Sequence, residues 1–167
     1  ALARDGLVLA EIGVETGPKR GETLAPALES AFALAGLAPP DVDLYAVCKG
    51  PGSFTGLRAG IGFLKGLDLA NPRPAAAVSS LRLLALNATF RKGLVMPVTD
   101  AHKGEVFMAL FESDGTGGMR RLLPDRALGP EAAARAAADS AADAAGGLAG
   151  QEILVLGDGL GKHREAL

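Results

Sequence analysis

A short apolar run at residues 44–48 opens directly into Gly50-Pro51-Gly52-Ser53-Phe54-Thr55-Gly56, and the helical stretch that follows holds Gly60, Gly62 and Gly66. An unbroken apolar strand of this kind is expected inside a sheet covered on both faces. A strand feeding a glycine turn and then a helix is an α/β arrangement. It is also the layout of an anion site, because the first N–H groups of a helix point outward and the dipole favours negative charge. The phosphate-loop pattern closes on Gly-Lys-Ser/Thr, whereas Gly56 is followed here by Leu57-Arg58. A GxGxxG reading fails too: Gly50 and Gly52 are correctly spaced but Thr55 holds the third position. The nucleotide signal is weak.

The glycines within the helix are more informative. Each costs roughly 1 kcal/mol relative to Ala, so Gly56, Gly60, Gly62 and Gly66 require something that offsets several kcal/mol. At about 100° per residue, Gly52, Gly56, Ala59, Phe63, Gly66 and Ala70 fall on one strip, with Gly60 at its margin. Leu57, Ile61 and Leu64 fall on another flank, and Arg58 and Lys65 point away from the strip. A smooth strip with a Phe knob permits close backbone approach. It fits packing inside the chain and docking of a partner equally well.

Around this segment the pattern is mixed. Asp5-Gly6 joins two apolar segments and predicts a type I′ hairpin. Residues 22–36 read as a helix with Leu24, Leu28, Ala31 and Ala35 on one face and Gly36 at its end; Pro39-Pro40 then breaks the chain. Residues 75–78 predict a strand, and Ser80 is expected to cap a helix reaching about Thr89. Strands are expected at 94–99, 105–112, 119–123 and 153–156. Residues 129–147 are Ala-rich with Pro130 at a first helical position, and their weak apolar face predicts a surface helix or a mobile segment. The division expected is a first unit of residues 1–99 and a smaller second unit of 100–167.

Composition narrows the functions available. Hydrophobic residues make up 49%, aromatics 4%, and Trp is absent, so the core is expected to be built from Ala, Leu and Val. The net charge of −2 includes no basic run, which argues against this chain alone gripping a nucleic-acid backbone. The one cysteine, Cys48, sits in the apolar run and reads as a buried, inert thiol. No apolar stretch approaches a membrane span and no leader pattern is visible, so a cytoplasmic location is expected.

The stretch Gly50-Pro51-Gly52-Ser53-Phe54-Thr55-Gly56-Leu57-Arg58, followed by Lys65-Gly66-Leu67, resembles the signature of the bacterial TsaB (YeaZ) family. Glu22-Thr23-Leu24-Ala25-Pro26, Val78-Ser79-Ser80-Leu81, Asp100-Ala101-His102 and Glu105-Val106-Phe107 resemble further elements of it, with His102 where Arg is usual. The resemblance covers roughly residues 1–112. It implies an actin-like ATPase fold of two ribonuclease-H-like lobes, here incomplete at both ends. It further implies a non-catalytic subunit of the complex that makes threonylcarbamoyladenosine (t6A) in tRNA. Such a subunit docks the catalytic TsaD subunit through its first two helices, supports binding of the ATPase TsaE, forms a homodimer when alone, and meets tRNA only through the complex. The interface residues it implies are Gly52, Ser53, Phe54, Thr55, Gly56, Ala59, Gly60, Phe63 and Gly66, with Leu24 and Leu28 from the helix before. No cofactor is expected in the isolated chain; ATP or ADP with Mg²⁺ at a subunit junction is the one the resemblance admits.

An enzyme needs a constellation. His102 and His163 are far apart in sequence and read as turn or surface residues, Asp100 and Asp158 as turn residues, and Ser53 as a helix N-cap with no base named beside it. The alternative is a small-molecule kinase or ATPase of the same fold class, using residues 50–55 or 157–159 as phosphate contacts. A standalone hydrolase ranks below both.

Overall fold

The structure, a computed structural model, describes residues 1–14, 22–144 and 150–167. They form two compact units, one of residues 1–49 and 53–77 and the other of 50–52 and 78–167. The division expected between residues 99 and 100 falls inside a continuous strand, whereas the units part between Ala77 and Val78.

In the first unit, β1 (Leu2–Arg4) and β2 (Leu7–Ala10) form an antiparallel hairpin. Asp5 and Gly6 both take left-handed φ, 51° and 80°, as a type I′ turn requires. Helix α1 (Leu24–Ala35) stops at Gly36, whose φ is 65°. There the Gly36 N–H donates to Ala33 O and the Leu37 N–H to Phe32 O, the paired bonds of a Schellman ending. A 3₁₀ turn at Pro39–Asp41 is fastened by the Ala38 N–H donating to Asp41 Oδ2 at 2.8 Å. Strand β3 (Tyr45–Cys48) pairs with β4 (Ala75–Val78), and helix α2 (Phe54–Ala70) runs between them. The Arg73 guanidinium donates to the carbonyls of Val42 and Pro40, tying the end of the crossover to the approach to β3. The fully covered strand expected at 44–48 is not found: within β3 only Tyr45 is buried, and Leu44 is 56% exposed. Cys48 is half-buried rather than enclosed. Among the described residues the strand has one neighbour, β4, and no strand pairs with its second edge.

The second unit is a four-stranded sheet in the order β7-β6-β5-β8. Strands β5 (Gly93–His102), β6 (Glu105–Ser113) and β7 (Met119–Leu128) are antiparallel, and β8 (Ile153–Leu156) runs parallel to β5. Period-two alternation sends Leu94, Met96 and Val98 to one face and Val95 to the other. Helix α3 (Ser80–Ala85), continued by a 3₁₀ turn at Leu86–Ala88, covers the face of Val95, Ala109 and Phe111. Its N-cap is Ser79, accepting from the Arg82 N–H, rather than Ser80. Ser80 instead donates to Pro51 O while its N–H donates to Gly50 O, which anchors the glycine turn.

Helix α4 (Pro130–Asp143) covers the opposite face. The Ala-rich segment, whose residues 145–147 lie outside the described ones, was expected to be a surface helix or a mobile segment, but Ala133, Ala137 and Ala141 lie at i, i+4 and i+8 and are 0%, 0% and 4% exposed. Methyl groups are enough here because a stripe of small side chains lets the helix sit close to β6 and β7. Strand β7 also runs five residues beyond the expected end at 123, still paired with β6 through Leu128. The core adds Met96, Met108 and Phe111 to the small aliphatics that composition suggested. A last short helix, α5 (Leu160–His163), follows β8.

Candidate functional site: the Gly-rich helix

Ser53 caps α2 as its position suggested, its Oγ accepting from the Gly56 N–H at 3.3 Å. Gly52 lies with the second unit. Along α2 the half-buried residues are Gly56, Leu57, Ala59, Gly60, Ile61, Phe63, Leu64, Leu67 and Asp68; Thr55, Arg58, Gly62, Lys65, Gly66 and Leu69 are exposed. No residue of this seventeen-residue helix is fully buried. Arg58 and Lys65 are on the open side, as their helical angle placed them. The strip divides: Gly56, Ala59 and Phe63 turn inward, while Gly66 and Ala70 are exposed.

The inward part looks across at α1. Gly56, Ala59 and Gly60 line one open cavity with Leu24 and Ala27 of α1 and with Ile12 and Val14. Phe63, Gly60 and Leu64 line a second, of about 240 Å³, together with Leu24, Leu28 and Phe32. Ile12 and Val14 were not singled out from sequence; their apolar character was the available signal.

These helices do not touch through their glycines. A Cβ added at Gly60, Gly62 or Gly66 would meet nothing within 4 Å, and one at Gly56 would meet only Ser53 at ordinary contact distance, 3.6 Å. Tight packing among the described residues therefore does not account for the glycines. At the start of the helix Phe54 is 72% exposed, with the Arg58 guanidinium 5.3 Å from its ring centroid. That cation–π contact steadies a large apolar side chain in solvent.

A separate cluster lies in the second unit, at the adjacent ends of β5 and β8. Asp100 Oδ2 accepts from the Lys162 ammonium, Asp100 Oδ1 accepts from the His102 N–H at 2.9 Å, and the Asp100 N–H donates to Asp158 Oδ1 at 3.3 Å. The Lys162 hydrogen bond, reinforced by the His102 N–H, holds the Asp100 carboxyl below the usual carboxylate range. Sequence reading named Asp100 and Asp158 singly. It missed Lys162, whose approach depends on β8 lying parallel beside β5. His102 is the exposed last residue of β5, its Nδ1 3.7 Å from Asp100 Oδ2, and no bond joins it to His163.

Gly157 is required by its surroundings: its φ is 126°, and a Cβ would run into the carbonyl of Val98. Three N–H groups after this glycine are already spent and do not face a phosphate freely. The N–H groups of Gly159, Leu160 and Gly161 already donate to Val98 O, Gly157 O and Asp158 O, and two carboxylates stand alongside. On the carboxylate side, the Lys162 ammonium already pairs with Asp100 Oδ2. Among the described residues no three His, Cys, Asp or Glu side chains gather as a metal site, and no helix is long and apolar enough to cross a membrane.

Residues 17–157 match the family described as TsaD: tRNA N6-adenosine threonylcarbamoyltransferase. The chain is 35% identical over 126 residues to the tRNA threonylcarbamoyladenosine biosynthesis protein TsaB of Bacillus subtilis, covering 75% of this chain and 55% of that one. It is 35% identical over 120 residues to TsaB of Escherichia coli, covering 70% and 51%. The solved structure of YeaZ from Pseudomonas aeruginosa superposes with a TM-score of 0.62 at 35% identity, over 68% of this chain and 54% of that one. The chain thus spans about half the length of these relatives. Its fold is α/β, as expected, and is shared with YeaZ, the family the resemblance named. The match across most of the chain, the relatives and the shared fold agree: the chain belongs to the tRNA N6-adenosine threonylcarbamoyltransferase family, and within it to the TsaB (YeaZ) group.

Proposed function

We propose that this protein serves t6A biosynthesis as a non-catalytic scaffold subunit that docks a TsaD-type catalytic subunit on the α1–α2 face. The observation that carries this reading is the open glycine face of α2. Helical glycines costing roughly 1 kcal/mol each meet nothing among the described residues that needs their smallness, and an outside partner packed against the helix would supply that need. The names of its relatives, TsaB and the threonylcarbamoyltransferase family, support the pathway. Recruitment of the ATPase TsaE, homodimerisation when alone, access to tRNA only through the complex, and a cytoplasmic location complete the proposal.

For the alternative, a small-molecule kinase or ATPase, phosphate contacts at residues 157–159 are disfavoured by the spent N–H groups and paired carboxylates around Gly157, and those at residues 50–55 by the broken phosphate-loop pattern, in which Leu57-Arg58 follow Gly56. The test is calorimetric titration of the chain with a TsaD-type subunit, alongside an assay of threonylcarbamoyl transfer. Saturable binding with no transfer by the lone chain is expected. Transfer by the lone chain, lost in Asp100→Ala, or the absence of any binding heat, would overturn the reading.

A further inference from the structure

We draw no further inference here: the strongest candidate, the apolar cleft of the first unit where β1 and β3 approach the floor made by Leu24, Leu28, Phe63 and Leu67 of α1 and α2, is an unpartnered face, and nothing in the structure shows what covers it.

Discussion

Two helices of this protein carry a stripe of small residues, and they use it in opposite ways. Helix α4 has Ala133, Ala137 and Ala141 at the spacing of one face, all enclosed against β6 and β7. Helix α2 has Gly56, Ala59, Gly60 and Phe63 on its inward side, none of them fully buried, with space above the glycines. The helix with the weaker apolar character is the one sealed into a core, and the longer, more apolar one stays half open. Smallness therefore does not reveal a helix's partner. What separates the two is the residue chosen: Ala fills a seam and keeps helix propensity, whereas Gly gives up propensity and, among the described residues, packs tightly against nothing. The same contrast runs through the units. The second encloses its sheet on both faces, while the first leaves Leu7, Val8, Leu34, Phe54 and Leu69 largely in solvent.

The contrast can be broken most severely where backbone and packing coincide. Gly157→Ala places a side chain at φ 126° against the Val98 carbonyl; strain and overlap together should remove about 2–5 kcal/mol from the second unit. Equilibrium denaturation measures this, and a wild-type midpoint would show that the loop adjusts freely. Ala137→Leu forces extra volume into the α4 seam and should cost about 1–3 kcal/mol. If instead it melts like the parent, α4 is as loosely seated as its composition suggested.

Gly60→Ala and Gly62→Ala should do the reverse, each raising stability by about 0.5–1 kcal/mol, because α2 gains propensity and the new methyl meets open space. A lowered melting temperature would place an unseen contact on that face.

The smallest effect is electrostatic. Asp114 is held below the usual carboxylate range by hydrogen bonds from Thr116, with the Gly118 N–H assisting, and Asp100 is held low by Lys162. A lowered folded pKa gives stability that is present above the unfolded value near 4 and lost as pH falls through the folded one. Asp114→Asn should therefore flatten part of the loss of melting temperature between about pH 5 and about pH 2. An unchanged acid slope would remove Asp114 from the account.

Much of this architecture was legible because it is written locally. Asp5-Gly6, Gly36, Ser53 and Pro130 mark turn, helix end, cap and helix start, and each sits where its backbone preference or hydrogen bond puts it. What was not legible depends on distant chain. The burial of α4 rests on how β6 and β7 lie beneath it, not on its own moderate amphipathicity. The length of β7 is set by its pairing with β6, through Leu128 opposite Val106. The Lys162–Asp100 pair requires residues 62 apart in sequence to meet at two strand ends. The same holds for the exposure of β3: an apolar run states that a strand prefers cover, not that both of its edges have neighbours. At the candidate site the helical angle placed Arg58 and Lys65 correctly, yet it drew the strip too far, since Gly66 and Ala70 lie outside the inward arc.

The central claim is that the glycine face of α2 awaits a partner rather than serving the chain's own packing, and Gly56→Leu tests it most directly. The measurement is one calorimetric titration of the variant against a TsaD-type subunit, read beside its melting curve. A Leu there intrudes where the partner's backbone should approach and adds overpacking of about 1–3 kcal/mol, which weakens association about tenfold or more. The melting temperature should hold, because the added Cβ meets only Ser53, at 3.6 Å, the rest of the side chain has the open cavity lined by Ile12, Val14, Leu24 and Ala27 beside it, and Leu is the better helix former. Normal association by the variant would contradict the account, as would a variant that unfolds.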